Sequence, residues 1–216
     1  MRMLLLLAFK SLPLLLIGYI GFLAIGLGNM GLFMLFIGHA VAVPTLTELI
    51  HLATGNSASN LTTYNESAQL VPIKPTDGTS FTGPANVVPS YWMAHIAFFF
   101  GYILMNAAMI YVAKPDKTAS PNAVASRKSR AATLIATSVI LLVTLSMLRI
   151  SLTGNETFIG VTVAVLFLGF AGVGWYKLAE VCGARNSDIF GIVQQMLAQD
   201  SAASKPVTCV YAPTAQ

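Results

Sequence analysis

Charge is what this chain has least of. Only 9% of its 216 residues are charged, against roughly a quarter in soluble domains. So few charges cannot coat a soluble globule of this size, which excludes a soluble enzyme. Cysteine is equally scarce. Cys182 and Cys209 form neither a disulfide framework nor a metal-ligand spacing. No His-Glu-x-x-His pair occurs, so that helical zinc motif is missing. There is no basic face interleaved with aromatics, and nucleic acid has no support as a partner.

What the chain does have is apolar residue in long blocks. It is 56% hydrophobic, with a mean hydropathy of +0.73. A helix needs roughly 20 mostly apolar residues to cross ~30 Å of hydrocarbon. Backbone groups cannot stay unpaired in lipid, so each block should be helical. The pattern predicts an all-α integral membrane bundle of about five transmembrane helices, with a C-terminal amphipathic helix.

Two N-terminal spans are expected within residues 1–53. Lys10 and Pro13 interrupt the first, moving its start toward Ser11 or leaving it interfacial. Its opening imitates a signal peptide, but Lys10 breaks the apolar run and no small-x-small site follows, so a retained helix is expected. Gly28-Asn29 suits a tight turn, and Pro44 suits a kink in the second span. Residues 54–90 are rich in Ser, Thr, Asn, Gly and Pro, and read as a long polar outer loop. The third span, 91–113, opens on Tyr91 and Trp92 as interface anchors. A basic loop, 114–130, carries Lys114, Lys117, Arg127, Lys128 and Arg130. The fourth and fifth spans fall within 131–181, with Trp175 and Tyr176 near the far end. In 186–199, Ile189, Ile192, Val193, Met196 and Leu197 share one helical face after a Ser187 N-cap. Such a helix lies on a membrane or on a partner. An extended tail, 200–216, follows.

Placing the basic loop inside puts eight of the twelve Lys and Arg on that side, as the positive-inside rule favours. The sequons at Asn60, Asn65 and Asn155 then fall in outer loops. Asn60 and Asn65 are candidate glycosylation sites, whereas Asn155 lies too close to the bilayer.

Ionisable groups inside spans are costly and mark functional candidates. Helix geometry predicts that Glu48, His51, His95, Arg149 and Glu156 converge at one depth near the outer surface. His39 is expected ~13 Å deeper at ~1.5 Å per residue. Such a cluster could bind a divalent metal or a ligand, or handle a phosphoryl group. No complete motif supports either chemistry. The turn from Arg149 to Gly154 lacks the histidine that a membrane lipid phosphatase would need. The plainer expectation is that these groups pair across helices and fix their register. No catalytic residue, metal site or cofactor is assigned. Asn106 is expected to donate an interhelical hydrogen bond. Gly160, Gly169, Gly172 and Gly174 are expected to permit close helix packing, within the bundle or in an oligomer.

Several stretches carry a resemblance. They are Gly38-His39-Ala40 with Val43-Pro44, then Pro89-Ser90-Tyr91-Trp92-Met93-Ala94-His95 with Phe98-Phe99-Phe100-Gly101-Tyr102 and Asn106-Ala107. Thr153-Gly154-Asn155-Glu156-Thr157 and Asp188-Ile189-Phe190-Gly191-Ile192-Val193-Gln194-Gln195 complete the set. Over most of residues 28–197 the chain resembles a small multi-span membrane protein family of large icosahedral DNA viruses of algae and protists. The resemblance implies a structural protein of the virion inner membrane, beneath the capsid, and brings no catalytic residues. The expected partners are the lipid bilayer and other membrane or capsid-associated proteins, bound through 54–90 and 186–216. Two other functions are weighed against it. One is a small membrane enzyme or metal-binding protein using the outer cluster. The other is an accessory subunit of an energy-transducing membrane complex.

Overall fold

The first reversal of the chain is decided by two residues. Gly28 adopts φ 59°, a left-handed backbone that glycine accepts without steric cost. Its N–H bonds the carbonyl of Ile25 at 3.4 Å and ends helix α1, Leu12–Leu27. Asn29 then starts the next helix. Its Oδ1 accepts from the N–H groups of Gly31 at 2.9 Å and Leu32 at 3.2 Å, satisfying two of the donors a helix start leaves open. Asn29→Ala should therefore destabilise the bundle by ~1 kcal/mol, while Asn29→Asp should not. Denaturant titration in detergent micelles checks this, and equal midpoints for the two variants would refute the capping role.

This computed structural model describes residue 9 and residues 11–53, 89–115, 120–153, 158–184 and 189. Helix α2, Met30–Ile37, runs through a π-helical turn, Gly38–Ala42, into α3, Val43–Ala53. The irregularity expected at Pro44 takes this form. Proline has no N–H to return to the preceding turn. The turn ahead of it widens, so that the N–H of Val43 reaches the carbonyl of Gly38. Thr45 Oγ1 donates to the carbonyl of Val41 at 2.8 Å.

Helix α4 is Tyr91–Val112, capped by Ser90, whose Oγ accepts from the Met93 N–H at 3.1 Å. Helix α5 is Pro121–Thr153. The basic segment 114–130, expected as a loop, is thus helical from Pro121 onward. Ser120 Oγ accepts from the Ala123 N–H at 3.2 Å, and proline suits a first helical turn. Those start signals outweigh the polar composition that suggested a loop. The last rod is α6, Phe158–Val163, a π turn at Ala164–Gly169, and α7, Phe170–Ala179. It closes on a turn at Glu180–Ala184, where Gly183 has φ 98°.

Among the described residues every regular element is helical. Four helices among the described residues are long and apolar enough to cross a membrane: Met30–Ile50, Tyr91–Val112, Pro121–Ser151 and Phe158–Ala184. By length and composition the chain is an integral membrane protein. Helix α1 has 16 residues, which cover ~24 Å and fall short of a full ~30 Å crossing. The outward faces agree with a lipid solvent: Phe22, Ile25, Phe158, Phe170 and Val181 are all about 70–85% exposed.

Helix α4 is the centre of the bundle. Small residues let its neighbours come close. A Cβ placed on Gly101 would lie 2.0 Å from the Gly169 carbonyl oxygen, and one on Gly172 would lie 2.2 Å from that of Phe98. The α6–α7 rod therefore packs backbone to backbone on α4, as small residues allow in membranes. Gly174 faces open space instead. Helix α5 buries Ala131, Ser138, Ser146 and Arg149, a row at helical spacing. Two of the expected interface anchors turn inward. Trp92 is 1% exposed and Tyr176 is 2% exposed. Each finds a hydrogen-bond partner inside the bundle (described below), which lets an amphipathic ring serve as core. The 186–199 helix is described only at Ile189. That helix, the tail and the body of the 54–90 loop lie outside the described residues.

Candidate functional site

Four polar side chains of α4 are Tyr91, His95, Tyr102 and Asn106. These are positions i, i+4, i+11 and i+15, a single helical face. Each meets a different neighbour, and the contacts follow one another along the helix axis.

At the end where α4 begins, the Tyr91 hydroxyl donates to a carboxylate oxygen of Glu48. One residue on, the indole of Trp92 donates to the carbonyl of Phe9 at 3.0 Å. The Arg149 guanidinium stands over the same indole, 5.1 Å from a ring centroid. Arg149 is 3% exposed. A desolvated guanidinium over tryptophan is a favourable cation–π pair.

Deeper in the bundle, His95 faces His39. Their Nδ1 atoms are 3.0 Å apart, and the rings stack with centroids 5.2 Å apart and 19° between planes. Phe98 covers His39 edge-on at 5.3 Å. A contact between two ring nitrogens needs one N–H donor and one bare acceptor, so a single proton lies between the rings. His39 Nε2 is buried without a hydrogen-bond partner among the described residues. The π turn carries this contact, because His39 lies within Gly38–Ala42. Such widened turns often occur at functional positions.

Further along, the Tyr102 hydroxyl donates to the Gly31 carbonyl at 2.8 Å. The Asn106 amide donates to the Tyr176 hydroxyl at 3.3 Å, the interhelical bond expected of it. The Trp175 indole donates to the Met34 carbonyl at 2.7 Å. In membrane bundles such bonds average ~0.6 kcal/mol and reach ~1.7. Their value here is chiefly in register.

The expected outer cluster is therefore divided. Glu48 and Arg149 do lie toward the end where α4 begins, each against an aromatic side chain of α4. His95 joins His39, which the sequence reading had set apart as deeper. That expectation is corrected for a physical reason. The ends of α3 and α4 stand at different levels: Tyr91, the first residue of α4, meets Glu48, five residues before α3 ends at Ala53. The backbone of His51 lies in α3, and its side chain lies outside the described residues, as do Glu156, Asn60 and Asn65. Sequence reasoning missed Tyr91 and Trp92 as the partners of Glu48 and Arg149. The signal was present in the four-residue spacing of Tyr91 and His95, but both aromatics were read as interface anchors. Among the described residues, no group of three or more His, Cys, Asp or Glu is placed to hold a metal ion.

No family model matches the chain, and neither a curated protein nor a solved structure matches it.

Proposed function

We propose that this chain is a structural multi-pass membrane protein of a large assembly. The observation that carries the reading is the closure of its polar interior. His39, His95 and Arg149 are 1%, 2% and 3% exposed, and the polar groups of α4 are taken up in contacts with neighbouring helices. A membrane enzyme or ligand-binding protein built on Glu48, His51, His95, Arg149 and Glu156 needs those groups to open on a common cavity. Of that set, His95 and Arg149 are closed off inside the bundle, which favours the structural reading. A bundle locked by glycine contacts and interhelical hydrogen bonds suits a scaffold.

In this reading the segments 54–90 and 186–216 engage other membrane or capsid-associated proteins. The resemblance described above makes the assembly a large icosahedral DNA virus particle, with this chain in its inner membrane. Purified particles extracted with mild detergent should release the chain with the membrane fraction. Its absence from particles would overturn the viral form of the proposal. Co-purification with an energy-transducing complex would transfer the structural role to that assembly.

A further inference from the structure

The two ends of the bundle differ in how far helix projects beyond the apolar core. Pro121–Ser151 has 31 residues, or ~46 Å of helix, against ~30 Å of hydrocarbon. From Ala131 to Leu148 it carries no charged residue. The excess therefore lies at the start, where Pro121 to Arg130 supply ~15 Å of helix. That is enough to cross the headgroup layer.

This overhang carries Arg127, Lys128 and Arg130, and Lys114 lies just beyond the end of α4. The overhang is fixed in place. Arg127 Nη2 donates to the Ala113 carbonyl, which ends α4, at 2.6 Å. Lys128 Nζ stands 5.8 Å from the centroid of Tyr111, itself 42% exposed. Lys114, Lys128 and Arg130 are exposed. Arg127 Nε is buried and meets no acceptor among the described residues. At this end the described ion pair is Lys177 with Glu180, at 2.8 Å. Glu180 is thereby committed, and none of the four other cations is ion-paired among the described residues.

We propose that this end binds the phosphate groups of anionic phospholipids in the adjoining leaflet. Lys114, Arg127, Lys128 and Arg130 would hold the phosphate, and Tyr111 would form the wall against the glycerol and upper chain. The chemistry fits. A lipid phosphate offers only acceptors, the cations offer only donors, and a tyrosine at headgroup depth is at home there. A basic cluster immediately beside a membrane span is the pattern that anionic lipids recognise. The inference rests on membrane embedding and is independent of the assembly proposal.

The test uses the full chain in vesicles of phosphatidylcholine with a minor share of phosphatidylglycerol. The protein is extracted in mild detergent, and the retained lipids are counted by mass spectrometry. Phosphatidylglycerol should be enriched several-fold over its share in the vesicle, and the enrichment should fall at high salt. In Lys114→Gln/Lys128→Gln/Arg130→Gln the enrichment should be abolished, leaving phosphatidylglycerol at its share in the vesicle. Lys128→Arg should retain it. Unchanged helical circular dichroism and thermal midpoint would show the triple variant folded. If it does not fold, the exposed single changes Lys114→Gln and Arg130→Gln are measured instead. Wild-type protein without enrichment overturns the proposal, as does a folded variant that keeps it. Retention of an acidic protein in place of phosphatidylglycerol, through the same residues, also overturns it.

Discussion

Gly101→Ala should destabilise the bundle by ~3 kcal/mol, while Gly174→Ala should be neutral or slightly stabilising. The two glycines differ in what a methyl group would meet. At Gly101 it would lie 2.0 Å from the Gly169 carbonyl oxygen and 2.8 Å from its carbon; at Gly174 nothing lies within 4 Å. The obstruction at Gly101 is backbone, so no side chain can rotate away. The rods must separate until the contact reaches an ordinary 3.4 Å or more. That separation loosens the Asn106–Tyr176 hydrogen bond and the packing along the whole interface. Overpacking in a dense core typically costs 1–3 kcal/mol, and a rigid backbone obstacle belongs at the upper end. Gly172→Ala should behave like Gly101→Ala, because its methyl would meet the Phe98 carbonyl oxygen at 2.2 Å. Unfolding titrations in mixed micelles would measure all three variants. Equal midpoints for the Gly101 and Gly174 variants would show that α4 and the α6–α7 rod are not in backbone contact.

The histidine pair should reveal itself as a coupling. His39→Leu or His95→Leu alone should destabilise by about 1–3 kcal/mol, because each leaves a buried ring nitrogen without its partner. The double variant His39→Leu/His95→Leu should recover much of the loss, since removing both polar groups together can be nearly neutral. The two side chains are in direct contact at 3.0 Å, so the single losses should not add. A double-mutant cycle by the same titration gives the coupling. Strict additivity would mean that the rings do not share a proton. The cycle also bears on function. A pair that serves register should tolerate a joint apolar replacement without loss of assembly. A ligand site built on His39 and His95 would not.

The depth of the sequence's information follows from what lipid demands. Helical state and approximate span positions were legible because an apolar block in a membrane has to pair its own backbone. Tyr91–Val112 coincides with the expected third span nearly to the residue. The turn at Gly28-Asn29 was legible too, from the left-handed preference of one residue and the capping preference of the other. The start of α5 was not. Asn122, Ser126 and Ser129 beside the three cations Arg127, Lys128 and Arg130 read as part of a basic loop, and Ser120 with Pro121 was too short a start signal to outweigh that composition. The candidate site was legible in its members and illegible in its pairings. Glu48, His95 and Arg149 were recognisable as costly groups within spans. Their partners depended on how three rods slide against one another, and periodicity along one helix cannot set the level of its neighbour.

By itself, the sequence determined that the chain is helical, that it belongs in a membrane, and that one end is basic. Each follows from composition and from distances along a single helix, which lipid and the backbone fix without reference to other helices. Only the tertiary structure decided that α4 is the centre of the bundle, that His39 meets His95, and that Arg149 rests on Trp92. Those pairings depend on how closely helices approach. The approach is set at Gly101, Gly169 and Gly172, where the missing side chains let backbones touch and so fix the register of everything packed around them.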